Sequence, residues 1–273
     1  MRTMQEKIDL AASWIAGADS LVVTAGAGMG VDSGLPDFRG NEGFWRAYPA
    51  LARGKIGFEE IANQAAFEAT PRLAWGFYGH RLDLYRRTVP HRGFAILQEF
   101  GARMANRSFV FTSNVDGQFQ KAGFDPSRIE ECHGSIRHLQ CLTPCTARIW
   151  PADDLAVEVD DRTGMLVSPL PACPHCGGLA RPNILLFNDW SWVAARTEMQ
   201  RHRFDKWLRS AGTTVVIEVG AGTAIPSVRR KSQALRAPLI RINPTVVQAD
   251  GAQFIGFQAG ALETLEQIKA ALT

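Results

Sequence analysis

The spacing of apolar residues near the start of the chain predicts a helix followed by a strand. An apolar residue at every third or fourth position predicts an amphipathic helix that ends at Gly17. These positions are Met4, Ile8, Ala11, Ala12 and Ile15. A β-branched run from Ser20 to Ala25 then predicts a buried strand, and glycines at positions 26, 28, 30 and 34 follow it. The pattern indicates a strand that passes into a tight loop.

Similar short apolar runs return later in the chain, with helical stretches between some of them. They span residues 109–113, 213–219, 238–242 and 253–257, and several end in Asn, Gly or Pro. Continuous apolar strands separated by helices are typical of a parallel sheet that is covered on both faces. Apolar spacing from Ala261 to Leu272 predicts a closing helix. We therefore predict an α/β fold with a Rossmann-like parallel sheet.

Two stretches interrupt this pattern and predict a second, smaller domain formed by insertions. Residues 45–100 are rich in helix formers and lack a good strand, and residues 137–183 hold four of the five cysteines among prolines and glycines. We expect the larger domain to consist of residues 1–44, 101–136 and 184–273. The helical insert 45–100 and a zinc-ribbon insert, 137–183, are expected to form the small domain.

Composition and charge exclude several classes of protein. The 273 residues are 46% hydrophobic and 21% charged, which excludes disorder, collagen and coiled coil. A formal charge of +3 is too weak for an electrostatic footprint on nucleic acid or anionic membrane, although a local basic patch remains possible. The start lacks the apolar run of a signal peptide, and no later run is long enough to span a bilayer. We expect a soluble, cytoplasmic protein, in which paired disulfides are disfavoured.

The glycine loop after the first strand is a candidate phosphate-binding turn. Gly26-Ala27-Gly28 would allow backbone N–H groups to approach a pyrophosphate, but Val31 stands where a third glycine is usual, so a simple turn is the alternative. The loop continues through Asp37, Phe38 and Arg39, which could close over a nucleotide; an Asp–Arg pair on a surface loop is the competing interpretation.

Polar residues also follow the second strand and a later turn. Asn114 and Asp116 come directly after residues 109–113, where open α/β sheets place ligand groups, although strand-end capping is equally typical of Asn and Asp. His133 lies in the turn Glu131-Cys132-His133-Gly134-Ser135 and is a candidate proton acceptor, with a structural histidine as the alternative.

The cysteine spacing predicts a metal site. Cys141 and Cys145 form one close pair, Cys173 and Cys176 form another, and 27 residues separate the pairs. Two close pairs of thiolates are typical of a tetrahedral structural zinc site. A redox pair or four unligated thiols are the alternatives, and His175 could replace one ligand; Cys132 is expected to be a buried thiol.

Taken in order, these motifs resemble the sirtuin family of NAD-dependent protein deacylases over nearly the whole chain. The matching pieces are GAGMGVDSGLPDFRG, SNVD with a following AG, the HG pair, the two cysteine pairs, RPNILLF, VGAG and IN. The resemblance implies NAD as co-substrate, structural zinc and acylated-lysine proteins as substrates. No membrane or direct nucleic-acid partner is expected.

The resemblance also implies roles for individual residues. His133 would be the general base, and Asn114 and Asp116 would act around the ribose and nicotinamide, with Phe38 shielding the pocket from water. The implied reaction moves the acyl group from lysine to the ribose, giving free lysine, nicotinamide and O-acyl-ADP-ribose. The cofactor site would comprise Gly26, Ala27, Gly28, Asp37, Phe38, Arg39, Ser113, Asn114, Asp116, Gly220, Ala221, Gly222, Asn243 and Ala261.

A Tyr-x-x-Arg pair resembles the sirtuin branch that removes succinyl and malonyl groups. Tyr78 and Arg81 lie three residues apart in a predicted helix and hence on one face. A guanidinium binds a carboxylate with two hydrogen bonds, and a phenol adds another donor. An ordinary helix surface is the alternative.

Departures from the family pattern keep other functions open. Ser113 replaces a glutamine, Gln118-Phe119 replaces Leu-His, and Asn188-Asp189 ends a segment that reads Phe-Gly-Glu in the family. Gly30 and Ala221-Gly222 replace a serine and a Thr-Ser pair. ADP-ribosyl transfer or NAD hydrolysis is therefore an alternative activity, and a zinc-ribbon module that binds nucleic acid is a distant one.

Overall fold

A six-stranded parallel sheet organises the chain in the computed structural model, which describes residues 2–37, 40–245 and 250–272. Its strands are β1 (Ser20–Ala25), β2 (Ser108–Thr112), β3 (Ile129–Glu131), β9 (Thr214–Val219), β10 (Leu239–Ile242) and β11 (Phe254–Phe257). Their order is β3-β2-β1-β9-β10-β11, and every neighbouring pair is parallel. This is the Rossmann order, which confirms the predicted fold class.

Helices cover both faces of this sheet because successive strand residues bury their side chains on opposite sides. Leu21 and Val23 point into one apolar cluster and Val22 into another. The first face packs against α1 (Met4–Ala16), α7 (Arg92–Ala102) and α11 (Ala261–Ala271), and the second against α9 (Ala195–Leu208) and α10 (Ser227–Ala234).

One helix packs differently from the expected domain division. α7 begins inside the stretch 45–100 that the sequence assigns to a helical insert, but Phe94, Leu97 and Phe100 pack into the core of the parallel sheet. The stretch without strands therefore includes a helix that packs on the parallel sheet, and its bounds do not coincide with those of the second core.

A second core lies between a group of helices and two small antiparallel sheets. The helices are α2 (Gly40–Ala47), α3 (Pro49–Arg53), α4 (Phe58–Ile61), α5 (Gln64–Ala69) and α6 (Pro71–Arg87). One sheet has the order β5-β4-β8, from β5 (Trp150–Pro151), β4 (Gly134–Cys141) and β8 (Ala180–Ile184), and the other pairs β6 (Val159–Asp160) with β7 (Met165–Leu166). Phe44, Phe67, Trp75 and Tyr78 fill this core.

Short helices complete the chain. A 3₁₀-helix spans Ala27–Ser33 directly after β1, another spans Pro126–Arg128, and α8 covers Gln118–Lys121. Within the described residues, no helix combines the length and apolar character needed to cross a membrane.

Candidate active site

A cavity of about 1060 Å³ opens at the carboxyl ends of β1, β2 and β9, between the two apolar cores. Strand order reverses between β1 and β9, and open α/β sheets bind ligands at this point. The volume lies just above the range of about 300–1,000 Å³ that is usual for ligand pockets. Residues predicted for the cofactor, the reaction and the acyl group meet in its lining: Gly26, Ala27, Asp37, Tyr78, Arg81, Ser113, Asn114, Asp116, His133, Ala221, Gly222 and Asn243.

The glycines after β1 and β9 bring two loops into contact. Gly26 N donates to Val219 O at 3.0 Å, and Gly28 N donates to Gly220 O at 3.1 Å. A Cβ on Gly28 would lie 2.7 Å from Gly220 Cα, so only glycine fits there. Gly28 and Gly220 thus lie behind the cavity wall among the described residues, and their N–H and C=O groups join the loops to each other. Ala27 and Gly222 face the cavity in front of them.

Other members of the predicted cofactor site lie at or beyond the edge of this cavity. Phe38 and Arg39 lie outside the described residues. Ala261 begins α11 and is buried, and the next residue, Leu262, donates its N–H to Asp32 Oδ2 at 2.8 Å. Ala261 is not part of the cavity lining in the described chain.

Asn114 and Asp116 are held at the end of β2 by backbone contacts. Asn114 Nδ2 donates to Gly26 O at 3.0 Å, which ties this strand end to the glycine loop. Asp116 is buried and accepts a hydrogen bond from Gln118 N at 2.8 Å. The pKa of Asp116 is raised to about 6, chiefly by burial and also by the nearby Glu131 carboxylate, while the hydrogen bond from Gln118 N and the Arg81 charge oppose the shift. Both interpretations of these residues therefore hold: the two side chains bond to the backbone near the strand end, and both residues line the cavity.

His133 lies between β3 and β4 with its imidazole in the cavity wall. Its Nε2 lies 3.3 Å from Ser227 Oγ, and burial lowers its pKa while a hydrogen bond with the backbone of Ser113 opposes the shift. A lowered pKa keeps the imidazole neutral near pH 7, the form that accepts a proton. The half-buried Cys132 thiol beside it has a pKa raised to about 12, chiefly by burial, and is therefore not a thiolate.

Tyr78 and Arg81 lie on the buried face of α6 and reach the same cavity from the second core. Arg81 Nε donates to Tyr85 Oη at 3.0 Å, and the guanidinium carbon lies 5.7 Å from the centre of the Tyr78 ring. Burial raises the pKa of Tyr78 to about 12, so its phenol stays protonated and remains a donor. The buried cation and phenol contradict the interpretation of this pair as an ordinary helix surface.

Tyr85 is a lining residue that sequence reasoning missed. Its position four residues after Arg81 on one helix was the available signal, because residues at that spacing are neighbours on a helix surface. The sequence places Glu131 in the turn of His133 but does not show its contacts. Glu131 ends β3, its carboxylate accepts a hydrogen bond from Arg196, and its backbone O accepts one from Thr197 Oγ1 at 3.1 Å. These contacts hold the turn that carries His133 against α9.

The four cysteines of the insert converge on one point. Their sulfurs lie within 4.8 Å of one another, with Cys141–Cys176 and Cys145–Cys173 Sγ–Sγ distances of 3.7 Å. A tetrahedral zinc with Zn–S bonds of about 2.3 Å places its sulfurs about 3.8 Å apart. The arrangement fits a structural zinc, and His175 is not part of the cluster among the described residues.

Comparison with known proteins identifies the family. The model of the Sir2 family matches residues 26–219, more than half of the chain, and the chain belongs to this family. The NAD-dependent protein deacylase 1 of Caldanaerobacter subterraneus subsp. tengcongensis is 28% identical over 244 residues, 89% of each protein. The NAD-dependent protein deacylase of Pyrococcus furiosus is 34% identical over 176 residues, which span 64% of this chain and 63% of that relative.

Solved structures share the whole architecture. A Sir2 enzyme structure covers 98% of each chain with a TM-score of 0.72 and 26% identity. A complex of a Sir2 homologue with NAD covers 99% of this chain and 96% of its own, with a TM-score of 0.71 and 24% identity. At 24% identity, the similarity to the NAD complex supports a shared fold and nothing more.

Proposed function

We propose that this protein is an NAD-dependent protein-lysine deacylase that releases nicotinamide and O-acyl-ADP-ribose. The observation that carries the proposal is the meeting of His133, Asn114 and Asp116 with Ala27 and Gly222 in one cavity at the switch point of the sheet. Membership of the Sir2 family and the activity named for its relatives support it.

The chain offers a distinct surface for each part of the reaction. NAD, when bound, supplies the ADP-ribosyl group that receives the acyl group as nicotinamide leaves. Ala27, Asp37, Ser113, Ala221, Gly222 and Asn243 form the wall proposed to hold it. Phe38, Arg39 and Ala261 are proposed to contribute on the strength of the family resemblance alone. Among the described residues, no atom beyond the chain neighbours of Gly222 lies within 4 Å of where its Cβ would be, which leaves room for a ligand.

His133 is the proposed base. Its neutral imidazole accepts a proton from a hydroxyl group of the bound substrate, and Ser227 Oγ, 3.3 Å from Nε2, is placed to orient the ring. Asn114, fixed to Gly26 O, and Asp116 are proposed to orient the reacting ribose and amide. Gly28 and Gly220 support the two loops from behind.

Tyr78 and Arg81 are proposed to select an acidic acyl group, succinyl or malonyl. Both residues line the cavity on the side of the second core, which supports this assignment, since a buried guanidinium favours a carboxylate over the methyl of an acetyl group. Zinc held by Cys141, Cys145, Cys173 and Cys176 would stabilise the β4–β8 end of this core and take no part in the reaction, because all four positions are filled.

The division of the chain and its surroundings are part of the proposal. Residues 1–44, 101–136 and 184–273 are proposed as the NAD-binding domain, with α7 packed on it, and the remaining inserts as the small domain. We also propose a transferase acting on acylated proteins in the cytoplasm, without direct nucleic-acid binding.

Nicotinamide release tests the proposal when it is measured with acetyl-lysine peptide, succinyl-lysine peptide and no peptide. Release only with peptide, faster with succinyl, and loss of release in His133→Ala are expected. Thr88→Ala, a change at the end of α6 outside the cavity lining, is the matched control. Equal release without peptide would instead indicate NAD hydrolysis or ADP-ribosyl transfer, which the Ser113, Asn188 and Asp189 departures favour. Full rate in His133→Ala would refute the assigned base.

A further inference from the structure

The indole of Trp190 is 95% exposed, although it belongs to a turn that the rest of the protein holds firmly. Of the large apolar side chains in the described residues, it is the most exposed. Aromatic side chains of this kind are enriched among the residues that contribute most to binding at protein interfaces.

The rigidity of the turn comes from Asp189, the neighbour of Trp190, whose side chain is completely buried. Its two carboxylate oxygens each accept a hydrogen bond from Arg181 Nη2 at 2.8 Å. The same carboxylate accepts the N–H of Leu186 at 3.1 Å and that of Ser191 at 3.0 Å. Both sides of the turn are thus fixed to one buried ion pair, so the backbone that carries Trp190 requires little further ordering when a ligand binds.

The same turn leads directly from the cavity. Leu185 and Phe187, just before it, line the cavity, and Leu185 is 40% exposed. Phe187 N donates to Ala62 O at 2.9 Å, and Ser191 Oγ donates to Gln64 Oε1 at 2.8 Å. These two contacts lie on either side of Trp190 and place it beside the α4–α5 segment.

The α4 side of the cavity mouth is acidic. Glu59 and Glu60 are exposed and line the cavity, and Glu60 also accepts the N–H of Gly57. Glu59 has no ion-pair partner in the described part of the chain. Phe58, the residue before Glu59, packs edge-on against Phe187 with ring centres 5.8 Å apart.

We propose that Trp190, Glu59 and Glu60 form a rim that recognises a lysine or arginine next to the acylated lysine of the substrate. The inference rests on the proposed function, because it takes the acyl group to lie in the cavity and the flanking chain to cross its mouth. Neighbouring residues of an extended chain advance about 3.3 Å each, so we expect the side chains one or two positions from the acyl-lysine to lie at the mouth of the cavity. An indole face attracts a cation, and the carboxylates add complementary charge.

Binding of fluorescein-labelled peptides tests the rim separately from catalysis. The peptides carry one acyl-lysine, either flanked by alanines or with a single lysine or glutamate at one of the four nearest positions. Anisotropy titrations with the whole protein are expected to give a Kd about two- to fivefold lower for lysine at one of these positions, as for an exposed cation–π contact. Glutamate there is expected to weaken binding, and added salt to reduce both differences.

Variants of the rim identify which residues cause the preference for lysine-flanked peptides. Trp190→Ala is expected to bring the lysine-to-alanine Kd ratio close to one, Trp190→Phe to retain part of it, and Glu59→Gln to reduce its dependence on salt. Val89→Ala and Glu158→Gln, at exposed sites outside the cavity lining, are the controls and keep the full ratio. An unchanged ratio in Trp190→Ala, or no preference in the unmodified protein, overturns the proposal.

A parallel assay of nicotinamide release separates the two hypotheses. Preferential binding of lysine-flanked peptides without release would support the rim and refute the deacylase function. Release that is equally efficient for all flanking residues, with equal Kd values, would support the function and refute the rim.

Discussion

Replacement of Asp189 by asparagine tests the buried ion pair on which the cavity wall depends. Asp189 and Arg181 have fully buried side chains, and both carboxylate oxygens bind Arg181 Nη2. Removing one charge leaves the guanidinium buried without its counter-ion, which in proteins costs about 3–5 kcal/mol. Asparagine has nearly the same shape but keeps only one acceptor oxygen, so it also loses the hydrogen bond from Leu186 N or from Ser191 N, and the expected cost combines the lost charge with one lost backbone contact.

The free energy of unfolding of the zinc-loaded protein, from urea denaturation, measures this effect. Asp153→Asn is the control, because its ion pair with Arg137 is exposed and is worth no more than about 1 kcal/mol. The double variant Arg181→Met/Asp189→Leu is expected to be more stable than Asp189→Asn, since it buries no lone charge. If Asp189→Asn unfolds within about 1 kcal/mol of the unmodified protein, the reasoning about this pair is wrong.

Three further changes probe other parts of the site. Tyr85→Phe removes the acceptor of Arg81 Nε, so the preference for succinyl over acetyl in kcat/KM is expected to fall about tenfold; equal losses with both substrates would contradict it. Asp116 has a pKa raised to about 6, so the folded protein binds its proton more tightly than the unfolded chain, and stability falls as pH rises from about 4 to about 6. Asp116→Asn lacks this fall, and its stability relative to the unmodified protein should rise by about 2 kcal/mol between pH 4 and pH 7 in urea denaturation; a constant difference would refute the shift. A chelator is expected to remove one equivalent of zinc from the protein and to lower its Tm. Cys132→Ser is expected to retain the zinc, because Cys132 is not one of the four clustered cysteines.

The continuous apolar strands were predictable from the sequence to within a residue at each end. The predicted run 213–219 corresponds to β9 (Thr214–Val219), and 253–257 to β11 (Phe254–Phe257). Burial on both faces explains this, because such strands contain an unbroken apolar run. β3 has three residues, two of them glutamates, and gave no such signal.

Residues of the candidate site were predictable where they follow strand ends or carry a recognisable spacing. Asn114, Asp116 and the four cysteines are of this kind, and the structure gathers each set in one place. The Asp189–Arg181 pair could not be predicted, because the sequence does not show which acidic side chain a buried arginine will meet. Packing of α7 likewise depends on the face it turns toward the parallel sheet.

The strands β4 and β8 connect the cavity to the cysteine cluster. β4 begins one residue after His133 and ends at Cys141, while β8 starts four residues after Cys176 and ends at Ile184 in the cavity wall. Eight strand residues span roughly 25 Å, so the two places are far apart yet share one antiparallel pair. Loss of the metal would therefore release the cysteine end of this strand pair, and the proposed base directly precedes the other end. We expect the turnover rate to fall when zinc is lost, although the metal lies roughly 25 Å from the cavity.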